Sequence, residues 1–429
     1  VNPMPRLAPL HRDARFCPIL DVVAQVRQLQ ARGVELIDLS VGTPNFLPAP
    51  HVYAQAQAAL AADRGVYGSS RGHGALVEAY LHHLAEQGLR LHEERHIVTG
   101  LGAKHLLHSV FAAILEPGDE VVIPTPCWPT YFDIVQQAGG TVVPVPGGVD
   151  ADYKISPDAL AAALGPRTKA VLLNNPSNPT GAAYDRDALH ALAAVLRGSD
   201  AWIVSDDVYS RFVSRTMDFC HLLQVAPDLI DRVVKIDSVS KLYGMPGWRV
   251  GMMAAPVSLA EAVVRLNSNS ISSVPEVAAA AAAAALAGDQ SFSYAMVERY
   301  RQRRELAHGL LASSPRIRCP LPDGAFYLFP DVSACFGLRL PAGTSFDPDS
   351  HAPAERHADL ATARPADADA GRIRDDLHLT QLLLTHAQVA VVPGRFFGEP
   401  RSIRITCSAD LDTLADGVER IRSLVDALV

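Results

Sequence analysis

From residue 19 to residue 33 the chain reads ILDVVAQVRQLQARG, with apolar side chains returning every third or fourth position and Gly33 at the end. That spacing predicts an amphipathic helix stopped by a glycine. ELIDLSVGTPNF predicts a short strand and a turn. From about residue 75 helical and strand periods alternate. ALVEAYLHHLAEQG predicts a helix, HIVTG a strand, AKHLLHSVFAAILEPGD a helix, EVVIPTP a strand and YFDIVQQAGG a helix. TVVPVP, KAVLLNNP, AWIVSDD, RVVKIDS and RVGMMAAP are short and almost continuously apolar, as strands are when both faces of their sheet are covered. This order builds an α/β unit with a mostly parallel sheet and helices on both faces. Ligands of such sheets bind beyond the carboxyl ends of the strands.

Past Glu276 the pattern changes. EVAAAAAAAALAG predicts a helix and SYAMVERYRQRRELAHGLLAS a long charged one, followed by strands in RCPLP and GAFYLFP, an apolar run LLLTHAQVAVVPG, a strand SIRITC and a last helix from about Leu411. The expected organisation is a large domain over 48–290 and a smaller α+β domain built from the N-terminal segment 1–47 and the C-terminal segment 291–429. Residues 339–376 are rich in Ala, Asp, Pro and Arg without periodicity, which predicts a surface insertion.

Composition narrows the function classes. A formal net charge of -8 over 429 residues argues against a nucleic acid as main partner, which calls for a basic stripe. The six cysteines are scattered without a CxxC pair, as expected of reduced thiols in the cytoplasm. The opening VNPMPRLAPLHRDARF has no apolar core, and no run of about 18 apolar residues follows, so neither secretion nor a membrane span is predicted. His105 and His108 lack a third ligand at helical or hairpin spacing, so no metal is expected.

Five stretches at predicted strand ends carry candidate chemistry. VTGLGAKHLL joins a strand to a helix through glycines, and a helix start bared by small residues binds phosphate. A dinucleotide fingerprint would need a third glycine where His105 stands, which argues against a nicotinamide enzyme. LNNPSNPTG ends a strand with turn residues, and IVSDDVY delivers two carboxylates and a phenol. DSVSKLYGMPGWRVG contains Lys241, one of only five lysines in a chain that otherwise writes its basic residues as arginine. In RSIRITC, Arg404 interrupts an alternating strand. Read singly, these are also a tight turn, punctuation, a helix cap and a salt-bridged edge arginine.

Read together, LSVGTPNF, YGSSRGHGALVEAY, PTPCWPTY, NNPSNPTG, SDDVY, SVSKLYGMPGWRVG, GAFYLF, VAVVPGRFFG and SIRITC form an ordered set. On these motifs the chain resembles the fold type I pyridoxal-phosphate enzymes of the class I/II aminotransferase family. The resemblance implies pyridoxal 5'-phosphate held in the large domain, amino transfer between an α-amino acid and a 2-oxo acid, and a cytoplasmic homodimer with shared active sites. Lys241 would carry the cofactor as a Schiff base and then move the Cα proton, tasks closed to an arginine that stays protonated. Asp206 would pair with the ring nitrogen and keep it protonated. Tyr209 and Asn178 would hydrogen-bond the ring's 3-oxygen, and Trp128 would stack on the ring beside the substrate. The phosphate would rest on the backbone of Gly102, Ala103 and Lys104, with Ser238 and Arg249 adding a hydroxyl and a charged fork. Tyr67 would reach the phosphate of the partner subunit. Arg404, with Asn178 and the Gly42 backbone, would take the substrate α-carboxylate.

Departures from the family pattern lie on the substrate side. Ser268 falls where dicarboxylate-specific members place an arginine from the partner subunit, which puts aspartate or glutamate specificity in doubt. GTPNF stands for the commoner GEPDF, and Gly68 follows Tyr67 where threonine is frequent. A lyase, a cyclase or a β/γ-replacement enzyme on the same fold is the alternative, since all begin with the same deprotonation.

Overall fold

The structure is a computed structural model of the chain and describes residues 18–62, 65–89, 92–341 and 372–429. Its strands are β1 (Ile37–Asp38), β2 (Ile97–Gly100), β3 (Glu120–Thr125), β4 (Thr141–Pro146), β5 (Thr168–Asn174), β6 (Trp202–Asp206), β7 (Val233–Ser238), β8 (Gly251–Ala254), β9 (Tyr327–Leu328), β10 (Val389–Ala390), β11 (Val392–Pro393) and β12 (Ile403–Thr406). Seven of them form one sheet in the order β2-β8-β7-β6-β5-β3-β4. β8 runs antiparallel to both neighbours, and the other pairs are parallel.

The near-continuous apolar strands divide their side chains between two cores, because successive residues point to opposite faces. Val204, Val234 and Ile236 pack with Leu106, Val110 and Phe111 of the helix Ala103–Ile114. Ile203, Val233 and Met252 join Leu76 and Tyr80 of the helix Gly74–Glu86 and alanines of the helix Glu276–Ala287 on the other side. β4 departs from the fully covered reading. It is the sheet edge, with Thr141, Pro144 and Pro146 exposed, and an edge tolerates proline because one side of the ladder needs no N–H. The apolar pattern did not single out the helices Pro50–Ala62, Pro157–Ala163, Arg186–Leu196 and Val257–Ser270.

A third core gathers Leu39, Leu311, Ile403, Ile405, Val418 and Ile421. Here β1 pairs in parallel with β10, and β12 lies antiparallel between β11 and β9. The long helix Ser291–Ala312 serves two cores, giving Tyr300 to the second one described and Leu311 to this one. One expectation changes. RCPLP is not a strand: only Arg318 makes an isolated bridge, to Asp331, and Pro320 and Pro322 lack the N–H a ladder needs. The apolar run LLLTHAQ begins on the last residue of the helix Asp376–Leu382 and continues as one π turn, Leu383–Ala387, before β10. Most of the expected insertion, 342–371, lies outside the described residues; Arg339 and Arg372 on either side of it pair in an antiparallel bridge.

Candidate active site

β5, β6 and β7 run in parallel and deliver their carboxyl ends to one place. Asn174 is in register with Asp206, and its side-chain amide donates to the Asp206 carbonyl at 2.9 Å. Asn174 also accepts the Asn178 N–H at 2.8 Å, which fixes the start of the NPTG turn. Lys241 follows the end of β7, and its Nζ donates to the Gly42 carbonyl at 2.7 Å. The same amine stands 5.6 Å from the centre of the Tyr209 ring and 5.8 Å from that of Phe326.

The two ionisable groups are tuned towards each other. Burial, with help from the Arg404 and Arg249 charges and against the pull of Asp206, lowers the Lys241 ammonium to about 8. At neutral pH its neutral fraction is then roughly a few hundred times that of an ordinary lysine. Burial raises the Asp206 carboxyl to about 6, opposed by the Tyr131 hydroxyl, which donates to Oδ2 at 2.7 Å, and by the Val208 N–H on Oδ1. A nucleophile poised near neutrality and a desolvated acid in one cleft are what proton-transfer chemistry requires.

Beside them lies a cradle for an anion. Gly102 precedes the helix Ala103–Ile114 with φ +84°, and a Cβ there would stand 2.5 Å from Arg249 Nη2. Only glycine fits that position. Arg249, itself left-handed at φ +55°, reaches back to the Leu101 carbonyl at 3.1 Å and the Pro246 carbonyl at 2.9 Å. Ser238 Oγ donates to Ser240 Oγ at 2.7 Å or to the Val250 carbonyl at 3.0 Å. Ser240 was not among the residues assigned from sequence. Ala103 and Lys104 form the first helical turn, and Lys104 Nζ lies 4.8 Å over the Trp128 ring. Trp128 packs edge-on against Tyr131 at 5.3 Å.

A second cation closes the cleft. Arg404 is buried; its Nη1 donates to Asn178 Oδ1 at 3.1 Å and its Nη2 to the Ser40 carbonyl at 2.6 Å. Its guanidinium carbon is 4.9 Å from the ring centres of both Tyr327 and Phe397. Tyr327 shares a 2.8 Å hydroxyl contact with Tyr209, and a Cβ on Gly42 would come within 2.6 Å of the Tyr327 hydroxyl. Tyr131 and Tyr327 sit inside motifs quoted above, yet their contacts span 75 and 118 residues and have no local signal.

Two assigned residues stand apart from this cluster. Tyr67 is 89% exposed, and Ser268 is exposed on the helix Val257–Ser270. Their segments meet each other: the Gly68 N–H donates to Ser273 Oγ at 3.2 Å, and Asn267 Nδ2 to the Ser70 carbonyl at 2.9 Å.

Among the described residues no group of His, Cys, Asp or Glu could hold a metal, and no helix is long and apolar enough to cross a membrane. The five described cysteines are free.

A poised amine and a buried acid stand at the carboxyl ends of a mostly parallel sheet, between a glycine-opened helix start and a buried arginine, an arrangement suited to proton-transfer chemistry. Comparison with known proteins makes this particular: the chain belongs to the aminotransferase class I and II family, whose model matches residues 34–421. It is 36% identical over 408 residues to the aspartate/prephenate aminotransferase of Cereibacter sphaeroides, covering 95% of each chain. The aspartate aminotransferase of Rhizobium meliloti superposes with a TM-score of 0.89 at 31% identity, over 99% of this chain and 100% of that one. The aspartate aminotransferase of Thermus thermophilus with maleate superposes with a TM-score of 0.84 at 28% identity, over 98% and 100%. The fold is that of the fold type I enzymes, and the protein is an aminotransferase that moves an amino group between an α-amino acid and a 2-oxo acid.

Proposed function

We propose that this aminotransferase binds pyridoxal 5'-phosphate at Lys241 and takes aspartate, or another amino acid with an acidic side chain, as amino donor. The observation that carries the reading is the Lys241 amine, bonded to the Gly42 carbonyl at 2.7 Å after the end of β7, with the buried Asp206 carboxyl held by Tyr131 at the end of the neighbouring β6. The cleft fits the cofactor: Gly102 leaves open a cradle that any Cβ would fill, Arg249 and the first turn of Ala103–Ile114 supply positive charge there, and Asp206 is a buried acceptor for a ring N–H. When bound, pyridoxal 5'-phosphate supplies an electrophilic carbon and a protonated ring that accepts the electron pair left as the Cα proton departs.

The chain's own residues do the rest. Gly102, Ala103, Lys104, Ser238 and Arg249 hold the phosphate, joined by Ser240. Trp128 covers the ring, and Tyr209 and Asn178 orient its 3-oxygen. Tyr131 keeps the Asp206 carboxylate turned to the ring nitrogen. Once released from the cofactor, Lys241 would be a neutral amine that takes the proton from the substrate Cα and gives it up to the cofactor carbon. Arg404 grips the α-carboxylate, its own position fixed by Asn178 and Ser40. The protein works as a cytoplasmic homodimer, in which exposed Tyr67 completes the partner's phosphate site. The proposed division into 1–47, 48–290 and 291–429 is supported by the third core, where Leu39 joins C-terminal residues, and by the β1–β10 pairing.

Aspartate returns as substrate because the relatives are named for it and because Lys104 brings a cation to the face of Trp128 that Ser268 cannot supply. Replacing Lys104 by glutamine should raise KM for aspartate by roughly 10- to 100-fold, the value of a charge-assisted hydrogen bond, and leave KM for alanine unchanged. Equal loss on both donors would assign Lys104 to the phosphate alone. The proposal itself is tested by mixing the purified protein with aspartate and a 2-oxo acid. Formation of the two exchanged products supports it; an aspartate product that keeps its nitrogen, with no oxo acid formed, assigns the site to a lyase, cyclase or replacement reaction instead.

A further inference from the structure

Behind the site, β6 and β7 carry a buried charged cluster that the reaction as described leaves unused. Lys235 alternates with Val234 and Ile236 along β7 and so points to the opposite face of the sheet from them. Its Nζ donates to Asp237 Oδ2 at 2.5 Å and lies 3.2 Å from Asp207 Oδ2. His221 Nδ1 meets Asp207 Oδ2 at 2.9 Å, Ser205 Oγ donates to Asp207 Oδ1 at 2.7 Å, and the Tyr80 hydroxyl donates to Asp237 Oδ2 at 2.7 Å. All six residues are buried.

An ion cluster in a core is a weak source of stability, since desolvation consumes most of the attraction. This one adjoins the reacting groups through the chain itself. Asp207 follows Asp206, Asp237 precedes Ser238, and the Asp207 N–H donates to the Ile236 carbonyl at 2.9 Å, tying the two strand ends together.

We infer that Lys235 is a positioning residue for amino transfer: held between Asp207 and Asp237, it balances their charge and so sets the electric field at Asp206 and Lys241 across the sheet. The inference rests on the reading of Asp206 as partner of the cofactor's ring nitrogen. After burial itself, Asp207 and Asp237 are among the causes that raise Asp206. Lys235 in turn holds Asp207 below the usual carboxylate range against the push of burial, and His221 is kept towards its neutral form by burial and by Lys235. His83 and His92, each lowered by burial to about 4 and so neutral near pH 7, and the charged Arg211 are further titratable groups around the cluster on this face. Tyr131, Tyr209 and Lys241 face Asp206 from the other. With one ammonium against two carboxylates, the cluster carries one net negative charge.

The test follows the pH-dependent absorption of pyridoxal phosphate bound to the full-length protein, a readout that needs no turnover. Asp237→Asn removes a negative charge across the sheet from the cationic nitrogen of attachment and should lower the absorption midpoint by about one pH unit. Lys235→Met removes the balancing charge and should raise it by a similar amount once both carboxylates are ionised. The double variant keeps the original net charge and should return close to wild type. Opposite shifts that cancel are the signature of a charge effect, whereas a purely structural cluster gives no shift, or shifts of one sign that add, and either overturns the inference. Should Lys235→Met fail to fold, the Asp237→Asn shift and its reversal in the double variant still decide. A wild-type protein with no cofactor band defeats the cofactor reading itself; a normal wild-type band that neither variant moves defeats this inference alone.

Discussion

Replacing Lys241 by alanine is expected to lower kcat/KM by about four orders of magnitude or more, because in the proposed function one residue supplies both the covalent attachment and the proton shuttle. Arginine at the same position should be equally inactive: it keeps the charge, but its guanidinium neither adds to a carbonyl nor gives up a proton at usable pH. Steady-state rates with aspartate, together with the absorption spectrum of each variant, check this. The wild type carries a pH signature as well. Capture of the cofactor needs the neutral amine, and the folded protein lowers Lys241 to about 8. The rate of cofactor uptake by the cofactor-free protein should therefore climb as pH rises through about 8 and level off above it. Uptake still climbing towards the range of an ordinary lysine would mean that burial does not tune this amine.

Asp206→Asn is expected to cost roughly a hundred- to a thousandfold in kcat, the usual loss when a preorganised charge is removed from a developing one. The amide keeps the shape, its one oxygen can take the Val208 N–H, and the Tyr131 hydroxyl can turn to accept from the amide NH2, so folding is spared. What the substitution removes is the negative charge that, in the proposed function, would hold a proton on the ring. Since burial raises the Asp206 carboxyl to about 6, it is ionised above that pH and neutral below it. Cofactor affinity of the wild type should then weaken as pH falls through about 6, while the asparagine variant shows no such step. Fluorescence titration of cofactor binding across that range reads both. A step of equal size in the variant would assign the titration to another group.

Much of this site was legible in the sequence because each part lies in a short motif at the end of a predicted strand. Lys241 drew attention as a lysine in an arginine-writing chain, and Asp206 and Tyr209 as an acid and a phenol ending an apolar strand. The sheet was legible too, since strands covered on both faces read as continuous apolar runs. β4 misled for a physical reason: its valines suit a buried strand, but the prolines between them belong to an edge. RCPLP misled in the opposite sense, because its alternation was cut by prolines that allow no ladder.

What stayed hidden are contacts between segments far apart. Tyr131 reaches Asp206, Tyr327 reaches Tyr209, and Tyr80 reaches Asp237 across 157 residues. A tyrosine gives the same local signal whether its hydroxyl meets water or a buried carboxylate. Lys235 shows the limit most plainly. In RVVKIDS it is the one cation that falls within β7, and it is 2% exposed and bonded to two carboxylates. The second of those partners lies two residues along, in the same strand. Tyr67 and Ser268, whose assigned roles lie across a dimer interface, are on the surface of this chain.

The central claim is that Lys241, and no other lysine, carries the cofactor. Treating the purified protein, saturated with pyridoxal 5'-phosphate, with borohydride and mapping the modified peptide by mass spectrometry tests it directly, because the chain has only four other lysines, at positions 104, 154, 169 and 235. The account predicts a single modified peptide containing Lys241 and loss of activity in proportion to labelling. A label at Lys104 or Lys235 with Lys241 unmodified, or no label at all, would contradict it.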